Sequence, residues 1–347
     1  MTDHPTVDWR SVLSTVTAGQ DLDEATAEAV LDEIMSGAAD PLRTAGLLTA
    51  LRTKGESGSE IAGFVRSMLR HVAPIQLTEP LVDTCGTGGD GVGTFNVSTV
   101  VALVVAASGV RVAKHGNRAA SGTCGSADLL EGWGVVIDLP PDAVATCVDE
   151  LGIGFMFART FHPAMRHVGP IRATLGIPTV FNVLGPLSNP AGAQHQVVGV
   201  ADARLAPVVA DALARLGRRH ALVFRGSDGL DELTTTGPSD LWQIRDGEVV
   251  HSRFDPAGVG IERAALEDLV GGDLTVNMRI ADAILAGEPG APSDLVALNA
   301  GAALYAADVV DSIADGVERA RGVLASGEAA ALRDRWVARS QELRTDG

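Results

Sequence analysis

The chain has 347 residues, enough for one large domain with a satellite or for two ordinary domains, and 46% of them are hydrophobic. A formal charge of -17 would repel a phosphate backbone, and no basic stripe with interleaved aromatics offsets it, so nucleic acid is a poor partner. Three cysteines, Cys85, Cys124 and Cys147, lack CxxC spacing and fit a reducing compartment, and the longest apolar run, Val100 to Ala107, falls far short of the roughly 20 residues that span a bilayer. The expectation is a soluble cytoplasmic protein with no membrane partner.

The first 80 residues read as helices, over Asp8 to Thr17, Asp23 to Met35, Pro41 to Lys54 and Ser59 to Val72. Asp40-Pro41 is an N-cap with proline at N1, Ser57 to Glu60 has capping-box spacing, and Gly19, Gly37 and Gly55 stand where helices should stop. Pro74 and Pro80 bracket a linker, after which short β-branched runs alternate with helices. Strands are expected at Leu81 to Thr84, Val110 to Ala113, Val135 to Leu139, Ile153 to Phe157, Val197 to Val200 and Ala221 to Phe224. Helices are expected at Ser98 to Ser108, Ser126 to Gly132, Asp142 to Leu151, Met165 to Leu175 and Ala203 to Leu216. Such alternation argues for an α/β sheet with helices on its faces. A hairpin is expected where Trp242 to Arg245 and Glu248 to His251 flank Asp246-Gly247, and the chain beyond Ile261 reads as helical.

Three loops carry chemistry. The first, Cys85 to Thr99, joins a strand to a helix. Its glycines let backbone N–H groups approach an oxyanion, Thr94, Asn96, Ser98 and Thr99 add side-chain donors, and the helix start favours negative charge. It reads as a phosphate cradle or, more plainly, as a tight strand-to-helix turn; it lacks both the Lys-Ser/Thr ending of a P-loop and a Rossmann ribose clamp. The second loop, Lys114 to Asp128, supplies Lys114 and Arg118 as cations and Ser121, Thr123 and Ser126 as donors. Two such loops after neighbouring strands would converge at the carboxyl end of a sheet. Taken singly, Arg118 reads equally as a ligand or an ion-pair residue, and His115 as a packed or a catalytic histidine. The third loop, Gly226 to Thr236, carries Asp231-Glu232. Such a pair is usually solvated surface, but beside a phosphorylated substrate these hard oxygen donors would select magnesium. The apolar run that should precede an acidic pair in the common phosphoribosyltransferase fold is absent, which disfavours that fold.

These loops, with the blocks Phe161 to Gly176 and Phe181 to Pro190, closely resemble the anthranilate phosphoribosyltransferases, in motif order and approximate spacing from the helical start to the C-terminal helices. The resemblance implies a homodimer with a small N-terminal helical domain and a large α/β domain built on a central mixed sheet, as in nucleoside phosphorylases. It places the helical domain at 1–75, joined by helices from about 160–185, the α/β domain at 81–347, and the site in the cleft between them. Matched residue by residue, phosphoribosyl pyrophosphate would be held by Gly86, Gly89, Asp90, Thr94, Asn96, Val97, Ser98 and Thr99. The loop Lys114, His115, Gly116, Asn117, Arg118, Ala119, Ala120, Ser121 and Gly122 would complete its site, with Ser126 beside it. Ser98, Asp231 and Glu232 match ligands of magnesium, with two ions per site implied. Gly86, Asn117 and Arg172 match anthranilate contacts, and His115, His162, Gly185 and Pro186 line its access path. Cys124 stands where serine is usual, Gly132-Trp133 replaces a common Ala-Leu, Arg159 replaces proline or glutamine, and Ser293 replaces a frequent arginine; none removes a matched ligand.

The implied reaction is substitution at the anomeric carbon, in which pyrophosphate leaves and the aromatic amine attacks from the opposite face. That amine is neutral at pH 7, so positioning and metal stabilisation suffice and no catalytic base is assigned. A nucleoside phosphorylase shares the domain plan but has no use for an acidic metal pair. A ligand-binding paralogue without turnover would have lost the metal pair or the substrate arginine, and both are present.

Overall fold

The computed structural model describes residues 7–119 and 123–345. At the amino end lie α1 (Trp9–Thr17), α2 (Glu24–Met35), α3 (Pro41–Lys54) and α4 (Gly58–Arg70). Asp8, Asp23 and Asp40 accept backbone N–H groups at the first three helix starts, and Ser57 with Glu60 closes a capping box at the fourth. Each cap contributes about 1 kcal/mol. Glu60 also reaches beyond its own helix: it is buried, accepts from Leu22 N–H at 3.0 Å and meets Lys54 Nζ at 3.0 Å. The cap therefore ties the α1–α2 connection and the end of α3 to α4.

Seven strands form one mixed sheet in the order β3-β2-β1-β4-β5-β6-β7. They are β1 (Val82–Gly86), β2 (Val112–Gly116), β3 (Ile153–Phe157), β4 (His195–Gly199), β5 (His220–Gly226), β6 (Ser239–Arg245) and β7 (Glu248–Phe254). β1 to β5 are parallel, and β6 and β7 add an antiparallel edge. The β6–β7 turn is the expected Asp246-Gly247, with φ of 49° and 85°. Successive strands run outward from β1 on one side and from β4 on the other. The carboxyl ends of β1 and β4 thus form the topological switch point, where open α/β sheets bind ligands.

One face is covered by α5 (Val97–Ala107), α6 (Ser126–Trp133), α7 (Pro141–Leu151), α12 (Leu274–Leu285), α13 (Ala291–Ala306), α14 (Ile313–Ser326) and α15 (Glu328–Thr345). α5 and α13 are apolar nearly all round because both lie inside this layer. The other face packs α11 (Ala206–Arg215) and the N-terminal helices into a second core, which includes sheet residues Val198, Val200, Ala221 and Val223. Short helices α8 (Ala158–Phe161), α9 (Gly169–Leu175) and α10 (Phe181–Leu187) follow β3. Val168, Phe181, Leu184 and Leu187 join the second core, so the 160–187 segment packs with the N-terminal helices.

Two expectations need correction. Val135 to Leu139 is not a strand: Val135, Ile137 and Leu139 are buried in alternation, which mimics strand periodicity, but Val135 N–H returns to Leu130 O and Val136 N–H donates to Ser340 Oγ on α15. The helix expected over Met165 to Leu175 is broken into a 3-10 turn, Pro163–Arg166, and α9, with Gly169-Pro170 at the restart.

Candidate active site

Three loops, leaving the carboxyl ends of β1, β2 and β5, gather around the switch point. After β1, Gly88, Gly89, Gly91 and Gly93 all have φ between 65° and 81°, a left-handed path that side chains resist. Asp90 holds the turn, accepting from Val92 N–H at 3.0 Å and Gly93 N–H at 3.2 Å. The loop ends at α5, whose N-cap position is Asn96 and whose first turn carries Ser98 and Thr99. Val97 is buried in the core, so only its backbone can face a ligand. Thr94 pairs across an isolated bridge with Val270.

The second loop leaves β2. Asn117 O accepts from Ser126 Oγ at 3.2 Å, and a side chain at Gly116 would collide with Ser126 Oγ, so the two ends of the loop are drawn together. Ala119 N–H reaches Asp128 Oδ2 at 3.3 Å. Arg118 pairs with Asp128 at 2.7 Å and Glu131 at 2.9 Å on the exposed side of α6. The ion-pair reading of Arg118 is the one its contacts display. Ala120, Ser121 and Gly122 lie outside the described residues.

The third loop brings Asp231 under the first. Gly88 N–H donates to Asp231 Oδ2 at 2.7 Å. Gly86 and Gly199, paired at the last rungs of β1 and β4, leave the space this requires: a Cβ on Gly86 would stand 2.3 Å from Asp231 Oδ2 and one on Gly199 1.6 Å from Asp231 O. Burial and the neighbouring Asp90 charge raise the Asp231 carboxyl to about 6. Burial and the Asp231 charge push Glu232 well above its ordinary value. The nearby cation is Lys114, itself buried and lowered by desolvation, with Nζ donating to Thr84 O at 2.6 Å and Ser98 Oγ at 3.3 Å. Below them Asp83 is fully buried, raised by desolvation, and accepts from His115 N–H at 3.1 Å.

No cluster of three or more metal-binding His, Cys, Asp or Glu side chains occurs among the described residues. The arrangement nevertheless fits magnesium, which binds through one or two carboxylates and completes its shell with water and substrate oxygens. Beyond burial, the Asp90 charge raises Asp231, and the Asp231 and Asp90 charges raise Glu232; a divalent cation would relieve that repulsion.

His115, His162 and Gly185, expected along an access path, meet beside β2. His115 and His162 rings lie 4.9 Å apart, and His115 Nδ1 contacts Gly185 O at 3.1 Å. Burial lowers His115 to about 3 and His162 to about 4, so both are neutral near pH 7. Pro186 O accepts from Gln196 Nε2 at 3.1 Å and from the Cys85 thiol. Arg172 is connected to this group through α10: its guanidinium sits 5.5 Å from the Phe181 ring and 3.4 Å from Asn182 Oδ1, and no carboxylate pairs with it among the described residues.

Sequence reasoning missed two asparagines. Asn299, on apolar α13, brackets the backbone of Leu233: its Oδ1 accepts from the Leu233 N–H at 2.9 Å and its Nδ2 donates to Leu233 O at 3.0 Å, fixing the residue next to Glu232. Asn277, on α12, bonds Asn96. A lone amide inside a buried helix must find partners, and that signal was present in both stretches.

Two family descriptions match in series: "glycosyl transferase family, helical bundle domain" over residues 10–72 and "glycosyl transferase family, a/b domain" over residues 78–330. The anthranilate phosphoribosyltransferase of Rubrobacter xylanophilus is 51% identical over 335 residues, covering 96% of this chain and 98% of its own. That of Roseiflexus sp. is 52% identical over 331 residues, covering 94% and 97%. The Thermus thermophilus enzyme structure superposes with a TM-score of 0.90 at 48% identity over 95% of this chain and 99% of its own. The Saccharomyces cerevisiae enzyme, solved in complex with PRPP and Mg, gives 0.87 at 28% identity over 96% and 98%. The chain belongs to the anthranilate phosphoribosyltransferase family of glycosyl transferases.

Proposed function

We infer that the chain transfers 5-phosphoribose from phosphoribosyl pyrophosphate to the amine of anthranilate, giving N-(5-phosphoribosyl)anthranilate and pyrophosphate in tryptophan biosynthesis. The observation that carries this reading is the seating of Asp231 beneath the glycine-rich loop at the switch point, where two glycines and the Gly88 N–H hold a carboxylate among other carboxylates. Such a pole is suited to a metal-bound pyrophosphate and not to a free nucleoside.

Ser98, Asp231 and Glu232 would hold magnesium, two ions per site, and the metal supplies charge stabilisation to the departing pyrophosphate. The chain's own residues do the rest. The glycine loop, the start of α5 and the Lys114 to Gly122 loop, with Ser126, bind and orient the phosphorylated substrate. Gly86, Asn117 and Arg172 receive anthranilate, and the neutral pair His115 and His162 lines its path with Gly185 and Pro186. Bond breaking between the anomeric carbon and pyrophosphate oxygen is matched by formation of the carbon–nitrogen bond, and the amine proton passes to water.

The cleft separates a helical domain, 1–75 with the 160–185 segment, from an α/β domain, 81–347. A homodimer is proposed on the α1–α3 face, where Leu42 is 83% exposed beside the small residues Ala45, Gly46 and Ala50. Free thiols at Cys85, Cys124 and Cys147 accord with the cytoplasm, and no helix among the described residues is long and apolar enough to cross a membrane.

The test is loss of anthranilate fluorescence on adding purified protein to phosphoribosyl pyrophosphate and magnesium. Turnover is expected with all three present; phosphorolysis of nucleosides in place of this reaction would overturn the reading.

A further inference from the structure

The chain returns to the phosphate loops after β7. Val270 bridges Thr94, Gly271 N–H donates to Gly93 O at 2.9 Å, and the Thr123 hydroxyl donates to Gly272 O. Asn277, 2% exposed, then reaches back from α12: its Oδ1 accepts from Gly272 N–H at 2.8 Å and its Nδ2 donates to Asn96 Oδ1 at 3.0 Å. Asn96 Nδ2 donates to Cys124 O at 2.9 Å, and the Cys124 thiol donates to Asn96 Oδ1 at 3.3 Å. Every polar atom of both side-chain amides has a protein partner.

This engagement answers a puzzle at α5. Asparagine is among the best N-cap residues, because its side-chain oxygen accepts from the N–H groups of the first turn. Asn96 occupies the N-cap position and makes no such bond. Its oxygen is instead held by Asn277 and the Cys124 thiol. Val97 N–H turns back to Phe95 O and Thr99 N–H to Asn96 O, which leaves the Ser98 N–H as the first-turn donor that the Asn96 side chain could cap and a phosphate could take.

Resting on the phosphoribosyl transfer reading, we propose that Asn277 is a positioning residue that restrains Asn96 from capping its own helix, keeping the start of α5 free for substrate phosphate. Without Asn277, the Asn96 amide can swing onto α5 and compete with the ligand. Asn96 then acts as a strut between the two loops and as a potential intramolecular competitor, in place of a direct side-chain ligand.

The experiment measures binding of phosphoribosyl pyrophosphate with magnesium by calorimetry, steady-state constants for both substrates, and melting temperature. Wild-type turnover and binding first establish the reading itself; their absence would remove that reading and is distinct from any variant effect. Asn277→Ala is expected to weaken phosphoribosyl pyrophosphate binding about tenfold, roughly 1.4 kcal/mol, with the anthranilate KM within about twofold. The decisive variant is Asn277→Ala with Asn96→Gly, which removes the competing cap and should recover at least about threefold of the loss. Asn277→Asp, isosteric and retaining the acceptor for Gly272 N–H, serves if the alanine variant does not fold, and should also weaken binding. A folded variant with wild-type affinity, or a double variant weaker than Asn277→Ala alone, overturns the proposal.

Discussion

Gly199→Ala is the smallest change that should disable the site without touching a charged group. Gly199 closes the last rung of β4, opposite Gly86 on β1 and Phe224 on β5, so its backbone cannot yield without breaking two ladders. A Cβ there would stand 1.6 Å from Asp231 O and 2.4 Å from Asp231 C. The obstacle is main chain, not the rotatable end of a side chain, and it must retreat by over about 1 Å to reach ordinary contact distance. Overpacking of this kind costs about 3 kcal/mol, and moving a catalytic group by about 1 Å costs roughly 100-fold in rate. The variant should therefore melt well below wild type, lose about 100-fold in kcat/KM in the anthranilate fluorescence assay, and need more magnesium for half-maximal rate. Gly322→Ala provides the contrast: it lies in α14 with open space around its Cβ position, and should stabilise the fold by about 0.5–1 kcal/mol with unchanged activity. A Gly199→Ala enzyme with wild-type melting and wild-type magnesium dependence would refute the claim that this glycine seats Asp231.

Chelation, or Asp231→Asn with Glu232→Gln, should abolish turnover, and full activity in chelator would remove the metal role. Asp231 is raised to about 6 from 3.8 in the metal-free fold, so its contribution to stability is present below pH 3.8 and is lost as pH rises through 6; magnesium should thus raise the melting temperature at pH 7 and lose this effect below pH 6. His115 and His162 are both depressed by burial, to about 3 and about 4, so their contribution is present above pH 6.5 and is lost as pH falls through those values. The pair should lose on the order of 5 kcal/mol by pH 4, and acid unfolding of His162→Gln should show a shallower pH dependence; an unchanged slope would contradict the buried neutral pair. Arg172→Ala should lose on the order of 2–5 kcal/mol in transition-state binding of anthranilate, Arg172→Lys should recover part, and phosphoribosyl pyrophosphate binding should stay near wild type; an alanine variant with wild-type kcat/KM would return Arg172 to a packing role over Phe181.

The helical start was legible because each helix carries its own local signal: Asp40-Pro41 and the Ser57–Glu60 box act within a single turn. The parallel strands were legible as β-branched runs, Ile153–Phe157 with its observed bounds; the carboxyl ends of β1, β2 and β5 were cut short by two or three residues because Gly86, Gly116 and Gly226 continue the strand after the apolar pattern stops. Val135 to Leu139 misled because alternating burial against α15 has the same period as a strand, and only the partner of Val136 N–H tells the two apart. In the site, the glycine loop and the acidic pair could be read directly. The partner of Lys114 could not, since Thr84 O belongs to a neighbouring strand whose register no local pattern prints. Nor could the pairing of Asn96 with Asn277, which spans 181 residues.

The charges of the cleft are sorted in space, and that sorting accounts for a transfer without a base. Asp90 in the glycine loop stands over Asp231 and Glu232, and the buried Lys114 offsets Asp83 and Glu232 but not Asp231, so this pole would accept an anion only with a divalent cation between them. On the far side of β2, His115 and His162 carry no charge near pH 7, and a cation there would gain little from burial. A neutral aromatic amine can pass such a pair without exchanging a proton. Its carboxylate needs a positive partner, and Arg172 offers one that no protein carboxylate claims among the described residues. On the proposed reading the two substrates would meet opposite electrostatic environments, with the positive charge that develops on the ribose between them. On that reading positioning at β1, β2 and β4 would set the rate, so a substitution that moves backbone, as at Gly199, should cost more than removal of a neutral histidine such as His115 or His162.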